Sequence, residues 1–137
     1  MRESTFIRAV CSRLPPIVFS QSMTGASMTM GGTPDRYFDL NMGGSSRDLW
    51  VEFKYANPTA NGVDVGGLLS PLQKKWLRRR WQNSGNACVM VGVRNARAEG
   101  FVLESPELWE ARVTREFVLH NKKSAHDLAI YIAQRLL

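Results

Sequence analysis

Two apolar, alternating runs dominate the first half of the chain. Arg36-Tyr37-Phe38-Asp39-Leu40 and Leu49-Trp50-Val51-Glu52-Phe53-Lys54 flank a turn at Gly43-Gly44-Ser45-Ser46 and predict a β-hairpin. In the second strand Leu49, Val51 and Phe53 form the apolar face, so Trp50, Glu52 and Lys54 emerge together on the other. Upstream, Ile7, Val10 and Leu14 recur at helical spacing and predict a helix over 2–14, stopped by Pro15-Pro16. Ile17-Val18-Phe19 fits a short strand. From Ser20 to Gly32 the chain is rich in Ser, Thr, Gly and Met, with no period; the expectation is a mobile or partner-ordered connector.

Residues 55–69 are rich in Asn-Pro, Asn-Gly and Gly-Gly and read as a loop, with Asp64 solvated. Ser70-Pro71-x-Gln73 then opens a helix: a Ser cap, Pro at the first helical position and Gln three residues after the cap. Its apolar stripe of Leu72, Trp76, Leu77 and Trp81 is broad, and Gly85 ends it. Ala87–Val93 is almost continuously apolar, as in a strand covered on both faces, and strand–helix–strand predicts a right-handed parallel crossover from the Glu52 strand. Phe101–Leu103 is expected as an edge strand, Pro106–Arg115 as a short helix and Phe117–Leu119 as a further strand. Ser124-x-x-Asp127 opens a final helix with Leu128, Ile132 and Leu136 on one face.

At 137 residues the chain suits a single domain, and 44% apolar residues suits a globular one. The charge changes the picture: 18 Lys+Arg against 12 Asp+Glu gives +6, which favours a polyanionic partner such as nucleic acid. Lys74, Lys75, Arg78, Arg79 and Arg80 crowd the helix after Ser70. They read either as a solvated basic face or as a phosphate-contacting one, and so dense a set repels itself unless something offsets it. Cys11 and Cys88 have no zinc-type spacing. Glu3, Arg8 and Arg13 interrupt any signal-peptide core, and no run reaches membrane-spanning length, so a reducing cytoplasm is the expected setting. No nucleophile elbow or phosphate-binding Gly loop is present, and His120 and His126 lack metal-ligand spacing.

The remaining chemistry is carboxylate chemistry. Asp35 begins one hairpin strand and Glu52 sits late on its partner, so the two can face each other across the same end. With the Phe53 backbone carbonyl between Glu52 and Lys54 they form an all-oxygen donor set suited to Mg2+, with Mn2+ as a substitute. Lys54, on the same face, can orient or deprotonate a water and stabilise charge on a phosphate. Taken alone, Glu52-x-Lys54 recurs easily by chance; an ordinary solvated ion pair is the competing reading. Glu3 either favours its helix dipole from the first turn or, pointing inward with Ile7, serves a metal.

Gly32-Thr33-Pro34-Asp35, Val51-Glu52-Phe53-Lys54 and Leu69-Ser70-Pro71-Leu72-Gln73, in this order, resemble the PD-(D/E)XK nuclease superfamily, and within it the virus-type replication–repair nuclease (VRR-NUC) domain, whose small members resemble Holliday-junction resolvases. The resemblance spans roughly residues 3–93. It implies an α/β, restriction-endonuclease-like core with a central mixed β-sheet flanked by helices, here about 3–104, followed by a C-terminal extension over 105–137 that is a cap or dimer surface. It implies a metal-dependent endonuclease of a bacterial or phage-infected cell. Asp35 and Glu52 match the metal carboxylates and Lys54 the catalytic lysine. Gln73 matches a glutamine near the active site, a role that competes with capping. Glu3 matches an additional metal ligand. Branched DNA is the substrate implied by the resemblance. Flaps, single strands or a specific duplex site are the alternatives within the fold, and a non-catalytic DNA- or partner-binding module is the alternative outside it. Cutting both symmetric strands of a junction requires two sites, so a homodimer is the expected assembly.

Overall fold

The computed structural model describes residues 2–23, 32–40, 47–95 and 97–137. The Gly43–Ser46 turn and most of the Ser20–Gly32 segment therefore lie outside the described residues. In chain order the elements are α1 (Glu3–Cys11), β1 (Val18–Ser22), β2 (Arg36–Leu40), β3 (Asp48–Ala56), β4 (Val63–Asp64), α2 (Val65–Leu68), α3 (Pro71–Ser84), β5 (Ala87–Val93), β6 (Glu99–Leu103), α4 (Pro106–Trp109), β7 (Arg112–Val113), α5 (Arg115–Asn121), β8 (Lys123–Ser124) and α6 (Ala125–Leu136).

A mixed sheet in the order β1-β2-β3-β5-β6-β8 organises the molecule. The predicted hairpin pair is present: β2 and β3 are antiparallel, with Arg36 opposite Val51. The predicted crossover is also present: β3 and β5 are parallel, joined through α3. Every residue of β5 is buried, as its unbroken apolar run requires of a central strand. On one face Phe38, Leu49, Val51, Phe53, Cys88 and Met90 pack against Phe6 and Val10 of α1. The same layer takes Ala125, Leu128, Ala129, Ile132 and Leu136 of α6, so the end of the segment expected as an extension covers the same sheet face as the first helix. On the other face Ala87, Val89, Val91 and Val93 meet Leu77 of α3, Trp109 of α4 and Val118 of α5.

Several local expectations are corrected. Helix α1 stops at Cys11 rather than residue 14, because a residue before proline is driven out of the helical region and the chain tightens into turns first. Strand β1 continues past Phe19 to Ser22, since β2 supplies ladder partners for polar residues whose own pattern is silent. The 55–69 stretch is not a plain loop: Val63, Val65 and Leu69 are buried, β4 pairs with β7, and Asp64 caps α2 by accepting from the Gly67 N–H at 3.2 Å. In α3 only Leu77 is fully buried, and Leu72 is 58% exposed, so the broad apolar stripe is narrow in fact. Strand β6 is not the edge, because two residues of β8 pair beyond it. The helix at Pro106 ends at Trp109. Phe117–Leu119 is helical, because Thr114 caps α5 by accepting from the Phe117 N–H at 3.0 Å; Val118 then points inward while Leu119 is exposed.

Candidate active site

The ladder between β2 and β3 ends at Arg36 and Val51, but β3 runs on to Ala56 beside β5. One edge of β3 is thus left open from Glu52 onward, and Asp35 sits at this notch. Its Oδ2 accepts from the Phe53 N–H at 2.9 Å, taking the place of the missing ladder partner. In an extended strand the C=O of a residue shares the edge of its N–H. The Phe53 carbonyl therefore also faces the notch.

Asp35 is held by its neighbours on both sides. Its own carbonyl accepts from the Met23 N–H at 2.8 Å. Pro34 is buried, and Gly32 lies against the first turn of α3. At Gly32 φ is +89°, and a Cβ would stand 2.4 Å from the Leu72 carbonyl oxygen, so both backbone conformation and space demand glycine. This is the physical content of the Gly-x-Pro-Asp pattern: the strand carrying the carboxylate is clamped to the helix carrying Gln73.

Glu52 is 1% exposed, which removes the solvated-ion-pair reading of its strand face. Its Oε2 lies 3.3 Å from Lys54 Nζ and accepts from Gln73 Nε2 at 3.0 Å. Its Oε1 is buried and has no hydrogen-bond partner among the described residues. Burial pushes the Glu52 carboxyl well above the usual carboxylate range, the Asp35 charge pushes it further, and Lys54 opposes both. Burial also raises Asp35, against the Phe53 N–H and the Lys54 charge. Two buried carboxyls this close titrate as a coupled pair, and both are pushed up by burial.

Gln73 makes a capping contact and a contact to Glu52 at once. Its Oε1 accepts from the Ser70 N–H at 2.9 Å, while Ser70 Oγ accepts from the Gln73 N–H at 3.1 Å, closing the capping box. The same amide is thereby oriented with Nε2 toward Glu52. Capping is the device that aims the donor.

Glu3 is exposed in the first turn of α1, yet it senses the site: burial raises its carboxyl, Asp35 raises it further and Lys54 lowers it. Among the described residues no group of three or more His, Cys, Asp or Glu side chains is gathered closely enough to hold a metal. Asp35, Glu52 and the Phe53 backbone meet at the notch, and the Glu3 carboxyl is close enough to feel the Asp35 and Lys54 charges.

The five cations of α3 divide. Arg78 pairs with Glu110 at 2.8 Å, and Arg80 lies 5.4 Å from the Trp50 ring and 5.0 Å from the Trp76 ring. Lys75 and Arg79 are exposed, and Lys74 is half-buried. Part of the self-repulsion of the helix is therefore offset inside the protein. Sequence reasoning missed the aromatic cluster of Tyr37, Trp50 and Trp76, whose tilted rings have centroids 4.8 and 5.1 Å apart. Trp50 was legible as a same-face neighbour of Glu52, but its partners come from two other elements.

No protein-family model matches the chain, and no curated protein matches it. A solved structure does. Hjc of Archaeoglobus fulgidus, a Holliday junction resolvase from an archaeal hyperthermophile, superposes with a TM-score of 0.56 over 93% of this chain and 96% of that one, at 13% sequence identity. The two chains share a fold. The predicted restriction-endonuclease-like architecture, a central mixed sheet flanked by helices, is thus the architecture found. Among the described residues no helix is long and apolar enough to cross a membrane.

Proposed function

We propose that the protein is a divalent-metal-dependent endonuclease that hydrolyses phosphodiester bonds in branched DNA, such as a four-way junction. The observation that carries this reading is the notch: two carboxyls, an open main-chain carbonyl and a lysine share one sheet edge, and one buried oxygen of Glu52 lacks a partner. A buried, unpartnered carboxylate oxygen beside a second carboxylate suits a hard cation, and the all-oxygen set favours Mg2+ or Mn2+. Asp35, Glu52 and the Phe53 carbonyl would hold the ion, with Glu3 as a further oxygen donor at its margin. Bound there, the ion supplies Lewis acidity toward a phosphoryl oxygen and a more acidic water. Lys54 is held by Glu52 so that its ammonium faces the notch, where it orients the attacking water and stabilises charge developing on the phosphate. Gln73 donates to the same Glu52 oxygen that Lys54 holds and so helps fix the carboxyl. Lys74, Lys75 and Arg79 are placed to follow the nucleic-acid backbone, joined by Arg78 and Arg80 where their internal partners release them. Likeness of fold to a Holliday junction resolvase supports the choice of branched substrate.

Cleavage assays over four-way junction, flap, single-stranded and plain duplex DNA, each with Mg2+ and with Mn2+, test the proposal. Metal-dependent cutting strongest on the junction is expected. Preference for flaps or plain duplex would overturn the branched-junction choice, and no cutting with either metal would overturn the enzyme. Symmetric cutting of a junction requires two sites, which a homodimer supplies; a monomer by light scattering at working concentration would count against it.

Gln73 separates capping from positioning. Ser70→Ala and Gln73→Ala each open the capping box and should each cost about 1 kcal/mol in urea denaturation. Only Gln73→Ala also frees the Glu52 carboxyl, so it alone should lower the cleavage rate, by about tenfold. Equal rates in the two variants would leave Gln73 as a cap only.

A further inference from the structure

A groove of about 590 Å3 opens beside Asp35, on the sheet face opposite α3. One wall is the stripe of α1 that carries Ser4, Arg8, Cys11 and Ser12, positions that share a helix face. The other wall includes Ser20 of β1 and Arg36 of β2. Along β2 this sheet face is apolar at Leu40 and Phe38, which pack in or against the α1–α6 core layer, and then changes character: the next residue on the same face is Arg36. Arg36 is anchored there, its Nη1 donating to Ser20 Oγ at 3.4 Å. Arg8 is exposed, and no ion pair or hydrogen bond holds its guanidinium among the described residues. Asp35, at the inner end, is the one carboxylate among the described residues lining the groove.

A groove with two guanidiniums, a row of hydroxyls and a carboxylate only at its catalytic end is complementary to a phosphodiester chain, because phosphate oxygens take hydrogen bonds mainly from Arg, Lys and Ser side chains. Its place adds direction. The cations of α3 lie across one sheet face and the groove lies across the other, with the notch between them. We infer that the groove between α1 and β1 binds the sugar–phosphate backbone of the substrate strand on the side of the scissile bond away from α3, with Arg8 and Arg36 on its phosphates. This inference rests on the nuclease reading and extends it: the strand is gripped on both sides of the cut, and the second grip is built from residues outside the nuclease motifs.

The groove carries its own reporter. Cys11 is half-buried within it, while Cys88 is fully buried in the core, so a maleimide reads Cys11 selectively in the folded protein. Binding of a labelled four-way junction, with calcium in place of magnesium, is measured for the natural chain and for Arg8→Glu across a salt series. Arg8→Glu should weaken binding at least tenfold at low salt and reduce the slope of log affinity against log salt by about one. Its calorimetric Mn2+ affinity should stay that of the natural chain, because Arg8 is outside the donor set. Bound junction should also slow maleimide labelling of Cys11 in the natural chain several-fold. Unchanged affinity and salt slope in Arg8→Glu, or labelling of Cys11 that bound DNA does not slow, overturns the groove while leaving the nuclease reading intact. Failure of the natural chain to bind any of the DNA structures overturns both.

Discussion

Glu52→Ala and Lys54→Ala should each lower metal-dependent DNA cleavage by about a thousandfold or more, with the fold retained. Glu52 is the pivot of the notch: it touches Lys54 and Gln73 through one oxygen and leaves the other unpartnered among the described residues, so its removal takes away the proposed metal ligand and the anchor of both neighbours. Lys54 is the one ammonium held at the site among the described residues, and losing a proton-transfer or charge-stabilising group typically costs about 10²–10⁴ in rate. Neither side chain belongs to the hydrophobic layers, so circular dichroism and the urea midpoint should stay close to those of the natural chain. Glu52→Gln separates the roles further. It keeps the shape and the neutral state that burial already favours, so it should be at least as stable as the natural chain without metal, yet inactive. Undiminished cleavage in both alanine variants would remove the notch as the active site.

The second large effect is a linkage between metal, pH and stability. The folded Glu52 carboxyl titrates above its unfolded value, chiefly through burial and then through Asp35. Between those two values the folded state holds more protons than the unfolded one, so stability is greatest at acid pH and falls as pH rises through this window. A divalent cation requires the deprotonated carboxylate and competes with that proton. Thermal unfolding in EDTA should therefore show the natural chain losing stability relative to Glu52→Gln as pH rises from about 5 toward the raised value. Mn2+ should raise the unfolding temperature of the natural chain more at alkaline than at acid pH, and its affinity should gain up to about tenfold per pH unit where one proton is released. In Glu52→Gln both trends should vanish. Equal pH profiles for the two chains would show that the notch does not hold the proton placed there.

The extent to which the site is legible in sequence follows the range of each interaction. Trp50, Glu52 and Lys54 fall on one side of β3 because successive side chains alternate and Leu49, Val51 and Phe53 claim the other side. The capping box at Ser70–Gln73 is legible because its four residues meet each other. Phe117–Leu119 misleads for a related reason: a three-residue apolar run fits either period, and the Thr114 cap that decides it lies just upstream. The buried residues of 55–69 are obscured by glycines and asparagines, which mark turns but do not reveal what the intervening valines pack against.

Local chemistry in the chain determined the strand pair, the parallel crossover, the face shared by Glu52 and Lys54, and the start of α3. Tertiary structure alone decided that Glu52 is buried rather than solvated, that Asp35 completes an interrupted ladder, that α6 covers the same sheet face as α1, and that Arg8 and Arg36 line one groove. The physical reason is one of distance along the chain. Periodicity and capping are settled within a turn or a strand. Desolvation, and the missing hydrogen-bond partner it exposes, depends on which remote elements close over a residue.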